Sequence, residues 1–357
     1  MPKRWRNSTR RLLTGAVLLP LAVFLAWIAS RRFNADHTSS PHEAAFGTLW
    51  NVSSSRWSNE HVAEGTTASQ PVVSQVSAQT IVKYGRAEGE LGMIRENGQT
   101  PIGPESFAVT RDGNILVADV ANQRVVVYSS DGTYVRSIDL PGLALGDVTV
   151  DKQGRIYLYD QVRRVLYQHD ADGAPRSSLN LNPADIDTRG YFHVSGEAVY
   201  FADAATRDVL VATVHQGLLM APDKSTERTT EGIHGDSGCI YSLSVDRGVA
   251  LRLQVREPGS QSAARTLEVP QPGIVSARYA GEDDAQRYYV QIERLAGNSI
   301  ALEVIAFSPD GQPLATTRMP ENDYALWTAK LVEVRPDGTI VQFLPQQDQA
   351  QLNSFAN

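Results

Sequence analysis

The chain has 357 residues and a formal net charge of -7, with 42% hydrophobic and 20% charged residues. This composition is typical of a globular protein and excludes wholesale disorder. The single cysteine, Cys239, excludes an intrachain disulfide scaffold and a cysteine-rich zinc site. Residues 1–32 hold seven of the 33 basic residues and no acidic ones, so the rest of the chain has 26 basic against 40 acidic residues. Because an acidic body repels phosphate backbones, we expect no nucleic-acid partner.

The amino terminus has the pattern of a membrane anchor. Residues 12–30 carry no formal charge, and as a helix they match a hydrocarbon core of about 30 Å. Five basic residues precede this segment, whereas only Arg31 and Arg32 closely follow it. This bias predicts a cytoplasmic amino terminus and a single transmembrane helix. The chain beyond residue 32 is then extracytoplasmic, either in the periplasm or at the cell surface.

A cleaved signal peptide is the alternative interpretation of residues 1–32. No clean A-x-A cleavage site precedes Arg31, since Trp27 and Ile28 occupy positions that require small residues. This favours an uncleaved signal-anchor. The arginine pair Arg10–Arg11 also resembles a twin-arginine export signal, which leads to the same compartment.

Residues 33–78 are predicted to be a flexible polar linker. They include thirteen Ser and Thr residues among 46 and no long periodic apolar run. Phe46, Trp50 and Trp57 depart from this pattern. We interpret them as exposed side chains of the linker, with docking on the body or on a partner as the alternative.

The remaining residues, 79–357, repeat with a period close to 40. Segments 107–119, 148–160 and 191–203 align, and their turn glycines Gly113, Gly154 and Gly196 are followed by Gly238 at spacings of 41, 42 and 42. Two looser copies bring the number to six. In the first copy, short apolar runs predict four strands at about 106–110, 114–119, 124–129 and 134–139. Four strands in each of six copies predict an all-β fold, a six-bladed β-propeller.

Residues 103–128 resemble an NHL repeat. They have an apolar inner strand, an Asp-Gly turn, Val-Ala-Asp119 and then Asn122 and Arg124 before the third strand. The second copy has Asp160 and Arg164 with a shortened connection, and the third has Asp203 and Arg207. The resemblance implies a six-bladed propeller with a central channel. It further implies that Asp119, Asn122, Arg124, Asp160 and Asp203 are structural residues of the repeat.

The two ends of the body are predicted to close the ring together. The last copy provides strands at about 330–334, 339–343 and 350–355 and lacks a fourth. Residues 80–84, Thr-Ile-Val-Lys-Tyr, form an unassigned strand before the first copy. We expect this strand to complete the last blade and so to remove both exposed edges.

No motif for a cofactor is found. The chain has no P-loop, dinucleotide fingerprint, nucleophile elbow or HExxH zinc motif. Ser237, in Gly-Asp-Ser-Gly, is assigned to a blade turn and not to a protease. The acidic run at 282–284 lacks the spacing of a calcium loop and is interpreted as a solvated turn. We therefore predict no cofactor, no metal and no catalytic residue.

Five residues are predicted near the mouth of the channel, and they are the candidate binding site: Glu105, Asp147, His193, His234 and Arg278. His193 is assigned to an inner strand and His234 to the position just before one, while Tyr241 and Glu333 add polar groups to the same region. We therefore expect an anchored propeller that binds or scaffolds a protein or glycan partner. The alternative is a propeller hydrolase or lyase with a metal in the channel, for which only two histidine ligands are visible.

Overall fold

In the computed structural model the chain forms a six-bladed β-propeller, as the repeats predict. The structure describes residues 75–96, 100–186, 190–203, 207–223, 228–246, 248–260, 262–263, 265–296, 299–321 and 328–356. The predicted membrane segment at 12–30, nearly all of the linker, and Phe46, Trp50 and Trp57 lie outside these residues. In the described part of the chain, no helix has the length and apolar character needed to cross a membrane.

Each blade is an antiparallel sheet whose first strand lies next to the channel. Blade 1 has β2 Phe107–Val109, β3 Ile115–Asp119, β4 Arg124–Tyr128 and β5 Tyr134–Asp139. Blade 2 has β6 Leu145–Val150, β7 Ile156–Asp160, β8 Val165–His169 and β9 Pro175–Asn180. Blade 3 has β10 Gly190–Ser195, β11 Ala198–Asp203, β12 Arg207–His215, β13 Leu218–Met220 and β14 Thr229–Glu231, with β13 and β14 both paired to β12.

The other three blades have four strands each. Blade 4 has β15 Ile233–His234, β16 Ile240–Asp246, β17 Ala250–Arg256 and β18 Arg265–Pro270. Blade 5 has β19 Ile274–Glu282, β20 Tyr288–Ala296, β21 Ser299–Phe307 and β22 Pro313–Met319. Blade 6 has β23 Val332–Val334, β24 Ile340–Pro345, β25 Gln349–Phe355 and β1 Val76–Lys83. The described part of the chain also includes two short 3-10 helices, Val120–Asn122 and Pro183–Asp185.

The hydrophobic core lies between neighbouring blades, because both faces of each sheet are covered. In β4, Val126 and Tyr128 pack in the cluster shared with blade 6, whereas Val125 and Val127 pack in the cluster shared with blade 2. All five residues of β4 are buried. This explains why the strand is apolar at successive positions and does not alternate.

The ring closes through its two ends. β1 pairs antiparallel with β25 from Val76 to Lys83, so the strand predicted at 80–84 supplies the outer strand of the last blade. It begins earlier than predicted, because residues 76–78, which were assigned to the linker, belong to it. Val82 is 3% exposed and belongs to the cluster between blades 6 and 1. The pairing thus joins the chain ends of the body: β25 is paired on both sides, and β1 is the outermost strand of blade 6.

One detail of the repeat alignment is corrected by the strand register. Asp160 pairs with Val165 just as Asp119 pairs with Arg124, so the connection in the second copy has the same length as in the first. Arg164, with φ of 56°, is therefore the equivalent of Gln123, with φ of 53°. The shortened connection occurs in the third copy, where the register pairs Ala202 with Asp208.

Candidate functional site

Two connected cavities occupy the central channel. The inner cavity, of about 160 Å³, is lined by residues that include Tyr191, His193, His234, Arg278, Gln291, Lys330 and Glu333. The vestibule, of about 270 Å³, is lined by the first turns of the blades, including Arg111, Lys152, Ser237 and Asp284. The two share Val109, Val150, Val194, Val334, Asp236 and Glu282. Four of these are valines from four different blades, so apolar side chains lie where the two cavities meet, together with the carboxylates of Asp236 and Glu282.

A buried carboxylate joins two histidines at the inner cavity. Asp208 has a fully buried side chain, and its oxygens accept hydrogen bonds from His193 Nε2 at 2.8 Å and His234 Nδ1 at 2.9 Å. The backbone N–H of His234 donates to the same carboxylate at 2.6 Å. Burial raises the pKa of Asp208, but its contacts with His193 and His234 outweigh this effect and hold the pKa below its usual value.

This arrangement fixes the hydrogen positions of both imidazoles. An ionised carboxylate only accepts hydrogen bonds, so each ring donates to Asp208 and, when neutral, has an unprotonated nitrogen on its other side. Those nitrogens, His193 Nδ1 and His234 Nε2, have no partner among the described residues. Tyr200 stacks on both rings, with centroids 5.5 Å from His193 and 4.3 Å from His234. The two histidines are therefore rigidly placed.

A buried lysine forms a second polar cluster beside the channel. Lys330 Nζ donates to the Val148 carbonyl at 2.8 Å, lies 2.9 Å from Glu333 Oε1 and is 3.8 Å from Asp147 Oδ1. The other Glu333 oxygen accepts from the Val109 N–H at 2.7 Å. Burial lowers the pKa of Lys330, but the two carboxylates more than compensate and raise it above its usual value. The cluster therefore links blades 6, 1 and 2.

Glu105 lies beside this cluster and outside both cavities. Burial and, to a smaller extent, the nearby charge of Asp147 together raise its pKa from 4.5 to about 7. Asp147 is 3% exposed and accepts hydrogen bonds from the Ser106 hydroxyl and from the N–H groups of Val148 and Phe192. Of the five predicted mouth residues, His193, His234 and Arg278 line the inner cavity, whereas Glu105 and Asp147 do not. His234 belongs to β15 itself and does not precede an inner strand.

Arg278 and Gln291 form a pair of donors on the blade 5 side of the inner cavity. They are direct cross-strand neighbours in β19 and β20. One Arg278 nitrogen donates to the Ala329 carbonyl at 2.8 Å, and the guanidinium lies 5.3 Å from the centre of the Tyr191 ring. Gln291 is 6% exposed, and its side-chain amide has no hydrogen-bond partner in the described part of the chain.

Two ion pairs cross the vestibule between blades that are not neighbours. Arg111 of blade 1 lies 2.9 Å from Asp284 of blade 5, and Lys152 of blade 2 lies 3.7 Å from Asp236 of blade 4. The side chains of all four residues are between 43% and 57% exposed. They are accessible charges at the entrance to the channel.

The acidic run at 282–284 is not the solvated turn that the sequence suggested. Glu282 is 9% exposed and accepts from Ser237 N at 2.6 Å and from Ser237 Oγ at 2.8 Å. The Tyr241 hydroxyl also donates to Glu282, so Tyr241 is a core residue and does not line the channel. Asp283 is 6% exposed and caps its own turn. Only Asp284 of this run is open to solvent.

The repeat acids occupy equivalent positions at the ends of the second strands. Asp119 contacts Arg124 Nε at 2.9 Å and Asn122 Nδ2 at 2.8 Å, and it accepts from the Gly92 N–H. Asp160 contacts Arg163 at 2.7 Å, and Asp203 contacts Arg207 at 2.6 Å. These contacts lie within blade connections and away from the channel.

Sequence reasoning missed Asp208, Lys330 and Gln291. Asp208 could have been found by comparing the repeats strand by strand. At the equivalent position of the third strand, blades 1 and 2 have the apolar residues Val125 and Leu166. An acid at a buried strand position requires a partner. Lys330 and Gln291 gave no comparable signal, since a lysine before a strand and a glutamine within one are common surface residues.

Comparison with protein families identifies the first repeat. Residues 102–128 match the family model of the NHL repeat. The match covers the first three strands of blade 1. The chain is thus a six-bladed β-propeller that carries an NHL repeat. No curated protein has a significantly similar sequence.

Several solved structures are similar to this chain. Hydrazine synthase of Kuenenia stuttgartiensis aligns with 70% of this chain and 80% of its own, at 12% identity and a TM-score of 0.44. Virginiamycin B lyase from Staphylococcus aureus aligns with 75% of this chain and 99% of its own, at 12% identity and a TM-score of 0.40. A DUF4221-family protein from Bacteroides vulgatus aligns with 79% of this chain and 99% of its own, at 13% identity and a TM-score of 0.41. Such distant likenesses carry no argument about activity.

Proposed function

We propose that this chain is a membrane-anchored, extracytoplasmic propeller that binds or scaffolds a protein or glycan partner at the vestibule of its channel. The observation that carries this proposal is the pair of exposed ion pairs across the vestibule, Arg111–Asp284 and Lys152–Asp236. Exposed ion pairs contribute only about 0–1 kcal/mol each. Their charges are therefore easily exchanged for charges of a partner, whereas the blade interiors are committed to packing.

The amino-terminal sequence supports the location of this module. The basic residues before position 12 favour insertion with the propeller outside the cytoplasm. A coil of the length of residues 33–75, the part of the predicted linker that precedes β1, has an r.m.s. span of about 40 Å. A tether of that reach permits a rigid propeller to approach a partner at the same membrane or close to it.

Charge reversal in the vestibule tests the binding role. A photo-crosslinking residue is placed at Gln286, which lines the vestibule, in the full-length chain in its native membrane. We expect a discrete crosslinked species in the wild type. Its yield should fall at least about tenfold in the double variant Arg111→Glu, Lys152→Glu, because the introduced carboxylates repel the partner groups that contact Arg111 and Lys152 in the wild type. The matched control is Arg252→Glu, an exposed, paired arginine on β17. Equal yields in the vestibule variant and in the control would reject the vestibule as the binding surface.

A second candidate function, a lyase or hydrolase with a metal in the channel, is favoured by one observation. Asp208 orients two imidazoles in the way that carboxylates orient metal-binding histidines. A zinc site needs three protein ligands, and the described residues contain no group of three His, Cys, Asp or Glu side chains arranged to hold a metal. The residues placed by the structure therefore do not fit this metal, and we derive no reaction through it.

A further inference from the structure

We propose that the inner cavity binds a small zwitterion of the α-amino-acid class. Its carboxylate is held by Arg278 and Gln291, and its ammonium group by Asp236 and the free imidazole nitrogens. This site lies in the inner cavity and goes beyond the partner surface proposed for the vestibule, with which it shares Asp236. Its test uses Arg278 and Gln291, which line the inner cavity and not the vestibule.

The carboxylate half of the site is built from blade 5. Because Arg278 and Gln291 are paired across β19 and β20, their side chains leave the same face of the sheet about 5 Å apart. Arg278 uses one guanidinium nitrogen for Ala329 and keeps donors for a ligand. Gln291 is more than nine-tenths buried, and its amide has no hydrogen-bond partner among the described residues. The amide is not among the fully buried polar atoms without a partner, so it is open to the cavity and available to a ligand.

The ammonium half of the site is built from blades 3 and 4. Since Asp208 receives the N–H of each imidazole, neutral His193 and His234 have lone pairs on their other nitrogens. An ammonium group donates three hydrogen bonds, and it is thus matched by these acceptors. Asp236 lines the same cavity and supplies a carboxylate whose pairing with Lys152, at 3.7 Å, is weak.

The remaining charges of the inner cavity are already committed. Glu333 is held by Lys330 and by the Val109 N–H. Glu282 is held by Ser237 and Tyr241. This leaves one cation, Arg278, and one anion, Asp236, whose exposed pairing with Lys152 is weak. A ligand that carries one carboxylate and one ammonium group complements both, whereas a simple anion or cation leaves one of them unmatched.

The size of the cavity limits the ligand. A cavity of about 150 Å³ in another protein accommodates benzene, and the inner cavity measures about 160 Å³. Alanine has the same number of non-hydrogen atoms as benzene. The valines where the two cavities meet, among them Val109 and Val150, offer apolar contacts to the methyl group of alanine. We therefore choose L-alanine as the test ligand.

Calorimetric titration of the full-length protein tests the ligand class. The ligands are L-alanine, propionate, which lacks the ammonium group, and ethylamine, which lacks the carboxylate. We expect saturable binding of L-alanine and at least about tenfold weaker binding of the other two, since each lacks the group that one of the two charged partners, Arg278 or Asp236, would contact. Absence of L-alanine binding, or equal binding of propionate or of ethylamine, would overturn the proposal.

Two variants locate the site. Gln291→Met removes the amide but keeps the side-chain length, and because that amide has no protein partner we expect an unchanged melting temperature. L-alanine affinity should fall about tenfold. Arg278→Lys retains the charge and removes the planar fork, with a similar loss expected. Arg252→Gln on β17 is the control and should bind as the wild type does. If Arg278→Lys is unstable, the affinity of Gln291→Met for L-alanine decides between acceptance and rejection of this site. An unchanged affinity in Gln291→Met would reject it.

Discussion

At the residue scale, the channel of this propeller is distinguished by buried charges that are held in pairs. Asp208 is matched by two histidines, and Lys330 is matched by Glu333 and Asp147. Removing one member of such a group leaves an uncompensated charge, which is costlier than removing the whole group. The pairs therefore fix the inner strands of different blades in one arrangement around the channel.

Glu105 is the exception, because no cation among the described residues pairs with it and its pKa is raised to about 7. A raised folded-state pKa means that the folded protein holds this proton more tightly than the unfolded chain. The associated stability is fully present below about pH 4.5, declines as the pH rises and is lost above about pH 7. The total loss is at most about 3 kcal/mol.

Glu105→Gln removes this titration. We expect the variant to match the wild type in free energy of unfolding at pH 4 and to be more stable by up to about 3 kcal/mol at pH 8. Urea denaturation at pH 4, 6 and 8 measures the difference. A difference between the two proteins that stays constant with pH would show that Glu105 does not titrate in this range.

At the scale of elements, each blade depends on its neighbours on both faces. β4 sends alternate residues into two different clusters, and β1 supplies the last strand of a blade that otherwise belongs to the carboxyl-terminal end. Blade 3 departs from the common pattern, since two short strands, β13 and β14, share the outer edge of β12. The connection before Arg207 is also shorter in this blade, and it brings Asp208 to the place where blades 1 and 2 have apolar residues.

The contribution of β1 to closure can be measured with two neighbouring residues. Val82→Ala removes a side chain that packs between blades 6 and 1, and we expect a loss of about 2 kcal/mol. Ile81→Ala, on the opposite face of the same strand, is 55% exposed in the wild type and should change stability by less than about 0.5 kcal/mol. Denaturant titrations of both variants provide the comparison. Equal effects would mean that β1 adds an edge without packing into the core.

At the scale of the whole molecule, a ring of six blades brings residues that are far apart in the sequence to one axis. Arg111 and Asp284 are separated by 173 positions and form an ion pair across the vestibule. Function in such a fold depends on what converges at the channel and not on the repeat itself. The repeat residues, such as Asp119 and Arg124, lie within a blade and are buried.

The proposed topology makes a prediction for the intact protein. A reporter enzyme that is active only outside the cytoplasm, fused after Asn357, should be active, and a cytoplasmic reporter at the same place should be silent. The reason is the excess of basic residues before position 12. Reversing this bias, by replacing the five leading basic residues with glutamine, is the control and should reduce the signal. Activity of the cytoplasmic reporter in the unaltered chain would contradict the anchor and the export signal alike.

The sequence by itself determined the all-β class, the number of blades and the closure of the ring. It did so because blade strands have short-range signals: apolar runs, Asp-Gly turns and a period near 40 residues. Gly113, Gly154 and Gly238 adopt positive φ values, which glycine accommodates without strain. This explains why a glycine marks each of these turns in the sequence. The strand predicted at 80–84 pairs with the last blade, as expected, because that blade has only three strands of its own and β25 otherwise lacks a neighbour on its outer side.

The tertiary structure alone decided which polar residues share a site. Asp147 and Glu105 were expected at the channel mouth with His193, yet they lie outside both cavities, whereas Gln291 lines the inner one. Glu282 and Asp283 resemble a solvated turn in sequence but are buried by hydrogen bonds from a neighbouring blade and from their own turn. Side-chain partners across blades depend on the angle and spacing of the sheets, which a period along the chain does not encode. The sequence shows which residues are charged, but only the fold determines which oppositely charged residue pairs with each of them.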